Sequence, residues 1–161
     1  MFISEKGENY GKCLLRILLL PTILAVAHHK FGKDVETVKR IKIFLASSID
    51  DLREDRIMIG DFFLQLNEIY LDSGIHFSLI KCENYDKSMA SGGKQQEYDR
   101  EIRESELVFF LFFRTVGDYT KHEFEVALDA FRNQQKPKIV TYFKYVSSIE
   151  EVSQEVRAFM Q

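Results

Sequence analysis

Residues 107–131 read LVFFLFF (107–113), RTVGDYT (114–120) and KHEFEVALDAF (121–131). The first part is an uninterrupted run of apolar residues from Leu107 to Phe113. A short run of this kind, rich in aromatic residues, reads as a strand covered on both faces. Gly117 and Asp118 mark a turn. Thr120 fits a helix N-cap, and Glu123 three residues on completes a capping-box pattern. Phe124, Ala127, Leu128 and Phe131 recur at i, i+3, i+4 and i+7, one face of a helix. A buried strand therefore empties into a loop that delivers a carboxylate to the start of a helix, and ligands of open α/β sheets bind at the carboxyl ends of the strands.

Upstream, Ile41–Ala46 reads as a first strand, followed by Ser47 and Ser48. Ser48 and Asp51 suggest a cap for a helix beginning near Asp50 and running to about Leu71 through Leu52, Ile59, Phe62, Phe63, Leu66, Ile69 and Tyr70. Gly74 fits its stop. Ile75–Ile80 is a second strand, Glu83–Gly93 a polar loop, and Lys94–Glu104 a helix with Tyr98 and Ile102 inward. Lys138–Phe143 is the fourth strand, and Ser148 opens a last helix through Val152, Val156 and Phe159. Strands alternating with helices imply an α/β fold, a doubly wound parallel sheet of four or five strands. The last helical pattern still runs at Gln161, so the native chain is expected to continue.

With 161 residues, the chain suits one α/β domain over residues 41–161, carrying residues 1–40 as an extension that is helical in pattern. A net charge of −3 gives no reason to expect a nucleic-acid surface. The two cysteines, Cys13 and Cys82, form neither a disulfide framework nor a zinc pattern, which fits the cytoplasm. Cys13–Ala27 is too short to span a bilayer. It is similar to a signal-peptide core, but Glu5 and Glu8 stand where a basic region belongs, so secretion is the lesser alternative. His28 and His29 lack a third ligand nearby, and no metal site is expected.

Two strand ends converge in this scheme. The first carries Ser47 and Ser48, whose hydroxyls and neighbouring amides suit a phosphate or ribose, although both serve equally well as caps. The other carries Asp118, Tyr119, Thr120 and Glu123. The local pattern leaves Glu123 open as a helix cap or as a functional carboxylate held ionised by the helix N-terminus. Glu125 is hardly distinguished from it by spacing. Arg53 and Arg56 read as solvated helix charges. Phosphate-loop, dinucleotide-fold and nucleophile-elbow motifs are all missing.

The strand IKIFLASS (41–48), the run DLREDR (51–56), and GDYT (117–120) through EFEVA (123–127) together resemble a bacterial TIR-like family. The resemblance spans Ile41 to about Phe143 and implies a flavodoxin-like fold. It also implies cleavage of NAD+ as substrate, with no cofactor, by a single glutamate that follows an aromatic residue after three intervening positions. Tyr119 and Glu123 keep that spacing, so the resemblance assigns catalysis to Glu123. Ser47, Ser48, Asp118, Tyr119 and Thr120 are the expected substrate contacts. Tyr119 stands where the family commonly has tryptophan, and Ala46-Ser47-Ser48 departs from the usual end of the first strand. The resemblance further implies self-association through the domain, a sensor domain or partner beyond this chain, and a role in antiphage defence or cell suicide. Two rivals stay open: a non-catalytic assembly module, and a nucleoside 2-deoxyribosyltransferase-like enzyme.

Overall fold

The computed structural model describes residues 38–81 and 94–160, together with Pro21 and Ile23. Among them the order is β1 (Lys39–Ser47), α1 (Arg53–Tyr70), β2 (Ile75–Lys81), α2 (Lys94–Glu104), β3 (Leu107–Phe112), α3 (Asp118–Gln134), β4 (Lys138–Phe143) and α4 (Gln154–Phe159). The four strands form one sheet in the order β2-β1-β3-β4, every pair parallel, which is the flavodoxin-like arrangement. Ala46 pairs with Phe110 and Ser47 with Leu111, so β1 and β3 lie side by side at the carboxyl edge.

Strand alternation distributes the core over both faces. Ile41, Ile43, Leu45, Leu107, Phe109 and Leu111 point to one side and meet Leu52, Ile59, Phe62, Phe63 and Leu66 at and along α1. Phe44, Ala46, Val108, Phe110 and Phe112 point to the other and meet Tyr98 and Ile102 of α2, Val126 and Ala127 of α3, and Val152 and Val156. Every residue of β3 is buried, as its unbroken apolar run implies. Each fully buried Phe or Leu stabilises the fold by about 1.5–3 kcal/mol. Pro21 and Ile23 are helical, and Ile23 is buried in the α1-side core.

Element ends have local causes. α1 runs out into a 3-10 turn over Leu71–Ser73, and Gly74 closes it at φ 64°, a left-handed conformation that glycine adopts without strain. The Asn67 side chain accepts from Phe77 N at 2.7 Å and donates to Phe77 O at 3.0 Å, which occupies backbone groups on the outer strand β2. The expected last helix is divided. Ser148 and Glu151 form a capping box on a 3-10 turn, and Ser153 then caps α4.

Cys13–Ala27 apart from Pro21 and Ile23, His28 and His29, Cys82 with the Glu83–Gly93 loop, and Gln161 lie outside the described residues. Among the described residues, no helix is long and apolar enough to cross a membrane.

Candidate functional site

The site lies where β1 and β3 end and their helices depart to opposite faces of the sheet: α1 to one side, α3 to the other. That divergence opens a crevice at the strand carboxyl ends. Across it the Thr115 hydroxyl donates to the Asp51 carboxylate and joins the two loops.

Ser47 is the last residue of β1 and is buried. Its hydroxyl oxygen accepts from Arg56 Nη1 at 2.6 Å, and its carbonyl accepts from the same nitrogen at 3.3 Å. Arg56 is only 1% exposed, which corrects the expectation of a solvated charge. The reason is its place on the α1 wheel: Leu52, Arg56, Ile59 and Phe63 share the inward stripe, and burial of the cation is offset by the Ser47 oxygens. Ser47 therefore holds a cation and does not cap α1. Ser48 does not cap α1 either. The helix begins at Arg53, and Ser48 Oγ accepts only a long 3.5 Å contact from Asp51 N in the preceding turn.

On the other loop, α3 starts at Asp118 behind Gly117, which is extended and supplies no side-chain cap. Thr120 is thus inside the first turn and buried, and the expected Thr120–Glu123 capping box does not form. Glu123 falls in the second turn, past the free amides of the helix start. Asp118 is fully exposed and pairs with Lys121 at 3.3 Å. Tyr119 is 74% exposed in the first turn of α3. The structure brings Ser47, Thr120 and Glu123 inward, leaves Ser48 half-buried, and sets Asp118 and Tyr119 at the rim.

Glu123 is 5% exposed, whereas Glu125 faces solvent. Phe124 sets this rotation of the helix. Its ring packs edge-on against Phe110 at 5.1 Å and Phe159 at 5.0 Å, and Phe159 stacks on Phe112 at 4.9 Å. With Phe124 held towards α4, the preceding side chain is the one that turns inward and is buried.

Burial pushes the Glu123 carboxyl up to about 8; the Arg56 guanidinium pulls it down, and the Asp99 carboxylate adds to the rise. The expectation that the helix N-terminus keeps Glu123 ionised is therefore corrected. The carboxyl lies beyond the first turn, where the macrodipole has faded, and desolvation dominates.

Asp99 reaches this neighbourhood from α2. Its Oδ1 and Oδ2 lie 3.1 and 3.2 Å from His122 Nε2, and Oδ1 also accepts from Gln95 Nε2 at 3.1 Å. A carboxylate only accepts, so Nε2 of His122 carries the proton in this pair. Gln95, Asp99 and His122 did not stand out in the sequence. Gln95 and Asp99 share a helix face four residues apart, and His122 simply precedes Glu123. Arg56 did carry a signal, its core spacing on α1.

The arrangement supplies a desolvated carboxyl group that feels the charges of a buried cation and a second carboxylate. Such a group can receive a positive centre, which draws it into its charged form, and can stabilise that centre electrostatically. No protein-family model and no curated protein matches the chain.

Proposed function

We propose that the chain is an NAD+ nucleosidase of the TIR-like kind, cleaving the nicotinamide–ribose bond with Glu123. The observation that carries this reading is the buried Glu123 carboxyl of α3, subject to the charges of Arg56 and Asp99. Nicotinamide departs from NAD+ as a neutral molecule, so its departure requires no general acid. The protein has to stabilise the oxocarbenium-like carbon left behind and keep competing nucleophiles away. A carboxylate fixed near the anomeric carbon does the first, by electrostatics or by transient bonding.

The raised pKa fits this chemistry. Empty, the site keeps Glu123 largely protonated at neutral pH, which avoids a buried uncompensated charge. The pyridinium of NAD+ favours the ionised form once bound, so the reactive carboxylate is formed by its own substrate. Tyr119, at the rim, offers a face for stacking. Ser47 holds Arg56 under the site, Thr120 lines the turn above Glu123, and Ser48 and Asp118 stand at the two loop edges.

We further propose that the domain acts in the cytoplasm as an effector in antiphage defence or cell suicide, self-associating, with a sensor or partner beyond this chain bringing copies together. Incubation of the purified protein with NAD+ tests the reading by release of free nicotinamide, lost in Glu123→Gln. A deoxynucleoside offered with a free base, in parallel, detects 2-deoxyribosyl transfer. Silence in both assays, with the protein dilute and with it concentrated or crowded, would favour a non-catalytic assembly module.

A further inference from the structure

We propose that Gln95, Asp99 and His122 form the leaving-group subsite beside Glu123, which takes a cationic heteroaromatic ring bearing a primary carboxamide. The proposal rests on the NAD+ reading of the Glu123 site and names the part of the substrate that these residues recognise.

Three features carry it. The first is an unpartnered acceptor. Among the described residues Gln95 Oε1 is buried without a hydrogen-bond partner, whereas Nε2 of the same amide donates to Asp99 Oδ1 at 3.1 Å. The amide cannot turn over to relieve this, because its oxygen would then face a carboxylate, which only accepts. A buried acceptor of this kind calls for an N–H donor.

The second is orientation. Asp99 is held from two sides, by Gln95 Nε2 and by His122 Nε2 at 3.1 Å, so its charge is fixed in place between α2 and α3. His122 directly precedes Glu123 on α3, so the held carboxylate is tied to the turn of α3 that carries Glu123. The Asp99 charge is felt at Glu123.

The third is sign. Gln95 Oε1 and the Asp99 carboxylate make this side of the site rich in acceptors and negative in charge. A pyrophosphate is repelled there. A pyridinium ring is attracted, and a carboxamide at its 3-position supplies the N–H that Gln95 Oε1 lacks. The same side disfavours a ring carrying a carboxylate.

The test compares kcat/KM for three dinucleotides: NAD+, its 3-acetylpyridine analogue, which has no N–H, and its nicotinic acid analogue, which carries a carboxylate. The proteins are wild type, Gln95→Met and Asp99→Asn. Wild type should favour NAD+ over each analogue by roughly ten- to a hundredfold. Gln95→Met should lower the rate with NAD+ while sparing the acetylpyridine analogue, so that this preference falls to about threefold or less. Asp99→Asn should shrink the preference over the nicotinic acid analogue. Binding of free nicotinamide and nicotinate, followed by NMR shifts, reads the same subsite without turnover. If wild type cleaves NAD+ with preferences that neither substitution alters, the subsite is wrong and the Glu123 reading stands. Nicotinamide binding that depends on Gln95 in a protein that cleaves nothing would support the subsite and overturn the nucleosidase. Absence of nicotinamide binding to wild type, together with absence of discrimination, overturns the subsite.

Discussion

Arg56 and Glu123 approach the end of β1 from opposite faces of the sheet, one on α1 and one on α3, and the charge of the first bears on the carboxyl of the second. Burial nevertheless outweighs the guanidinium and leaves Glu123 raised to about 8. Much of the behaviour expected of this protein follows from that balance.

The rate should depend on pH in a way that separates free from loaded protein. Below about pH 8, kcat/KM for NAD+ is expected to rise about tenfold per unit and then level off, since it reports the free carboxyl. A bound pyridinium is expected to lower the Glu123 pKa, so kcat should level off at lower pH than kcat/KM. Initial rates from pH 5.5 to 9.5 check this. A kcat/KM that is flat from pH 6 to 8 would contradict it.

Stability should fall as pH rises, over a definite window. The folded protein holds a proton on Glu123 up to about 8, whereas the unfolded chain releases it near 4.5. Between these values the native state binds more protons, so the slope of stability against pH is negative for this group and vanishes outside the window. The full drop is on the order of a few kcal/mol at about 1.4 kcal/mol per unit. Glu123→Gln keeps a neutral side chain and escapes that loss. Urea unfolding should therefore show the variant more stable than wild type at pH 9, by an amount that shrinks as pH falls. A variant that is less stable at pH 9 would assign Glu123 a structural role.

Arg56→Met conserves most of the side-chain volume and removes the charge. The carboxyl then loses the interaction that lowers it, and the rising limb of kcat/KM should move to higher pH. Ser47→Ala leaves the buried guanidinium short of its 2.6 Å acceptor and should cost about 1.5–3 kcal/mol of stability. An unmoved pH profile in Arg56→Met would remove Arg56 from the site.

Tyr119→Ala should raise KM for NAD+ and leave kcat close to wild type, because the ring stands at the rim and the carboxyl is untouched. The loss expected is roughly 1–3 kcal/mol of binding, the scale of one aromatic–base stack. Full steady-state curves distinguish this from a defect in kcat, which would place Tyr119 in the chemistry.

The sheet was legible because its strands are of the kind that sequence reveals best. The apolar run from Leu107 carries no polar interruption until Arg114, and β3 is buried on both faces. The site was less legible where local chemistry imitated another arrangement. Thr120 and Glu123 have capping-box spacing, yet the helix starts a turn earlier behind Gly117, and the pattern is realised instead by Ser148 and Glu151. Arginine is usually exposed, which points Arg56 to solvent, although its spacing from Leu52 and Ile59 puts it on the core stripe. Glu123 and Glu125 could not be separated by spacing. It is the packing of Phe124 on Phe110 and Phe159 that turns the first inward and leaves the second in solvent. The Gln95–Asp99–His122 cluster joins two helices through contacts that neither segment displays alone.

The central claim is that Glu123, and not its neighbour, is the carboxyl that acts on NAD+. The most direct measurement is nicotinamide release by wild type, Glu123→Gln and Glu125→Gln at pH 8, with each protein shown to be folded. Wild type and Glu125→Gln should cleave at comparable rates. Glu123→Gln should lose about a hundredfold or more, the scale of one preorganised electrostatic contact in a transition state. Retained cleavage in Glu123→Gln would contradict the account, and loss confined to Glu125→Gln would place the chemistry on the solvent face of α3.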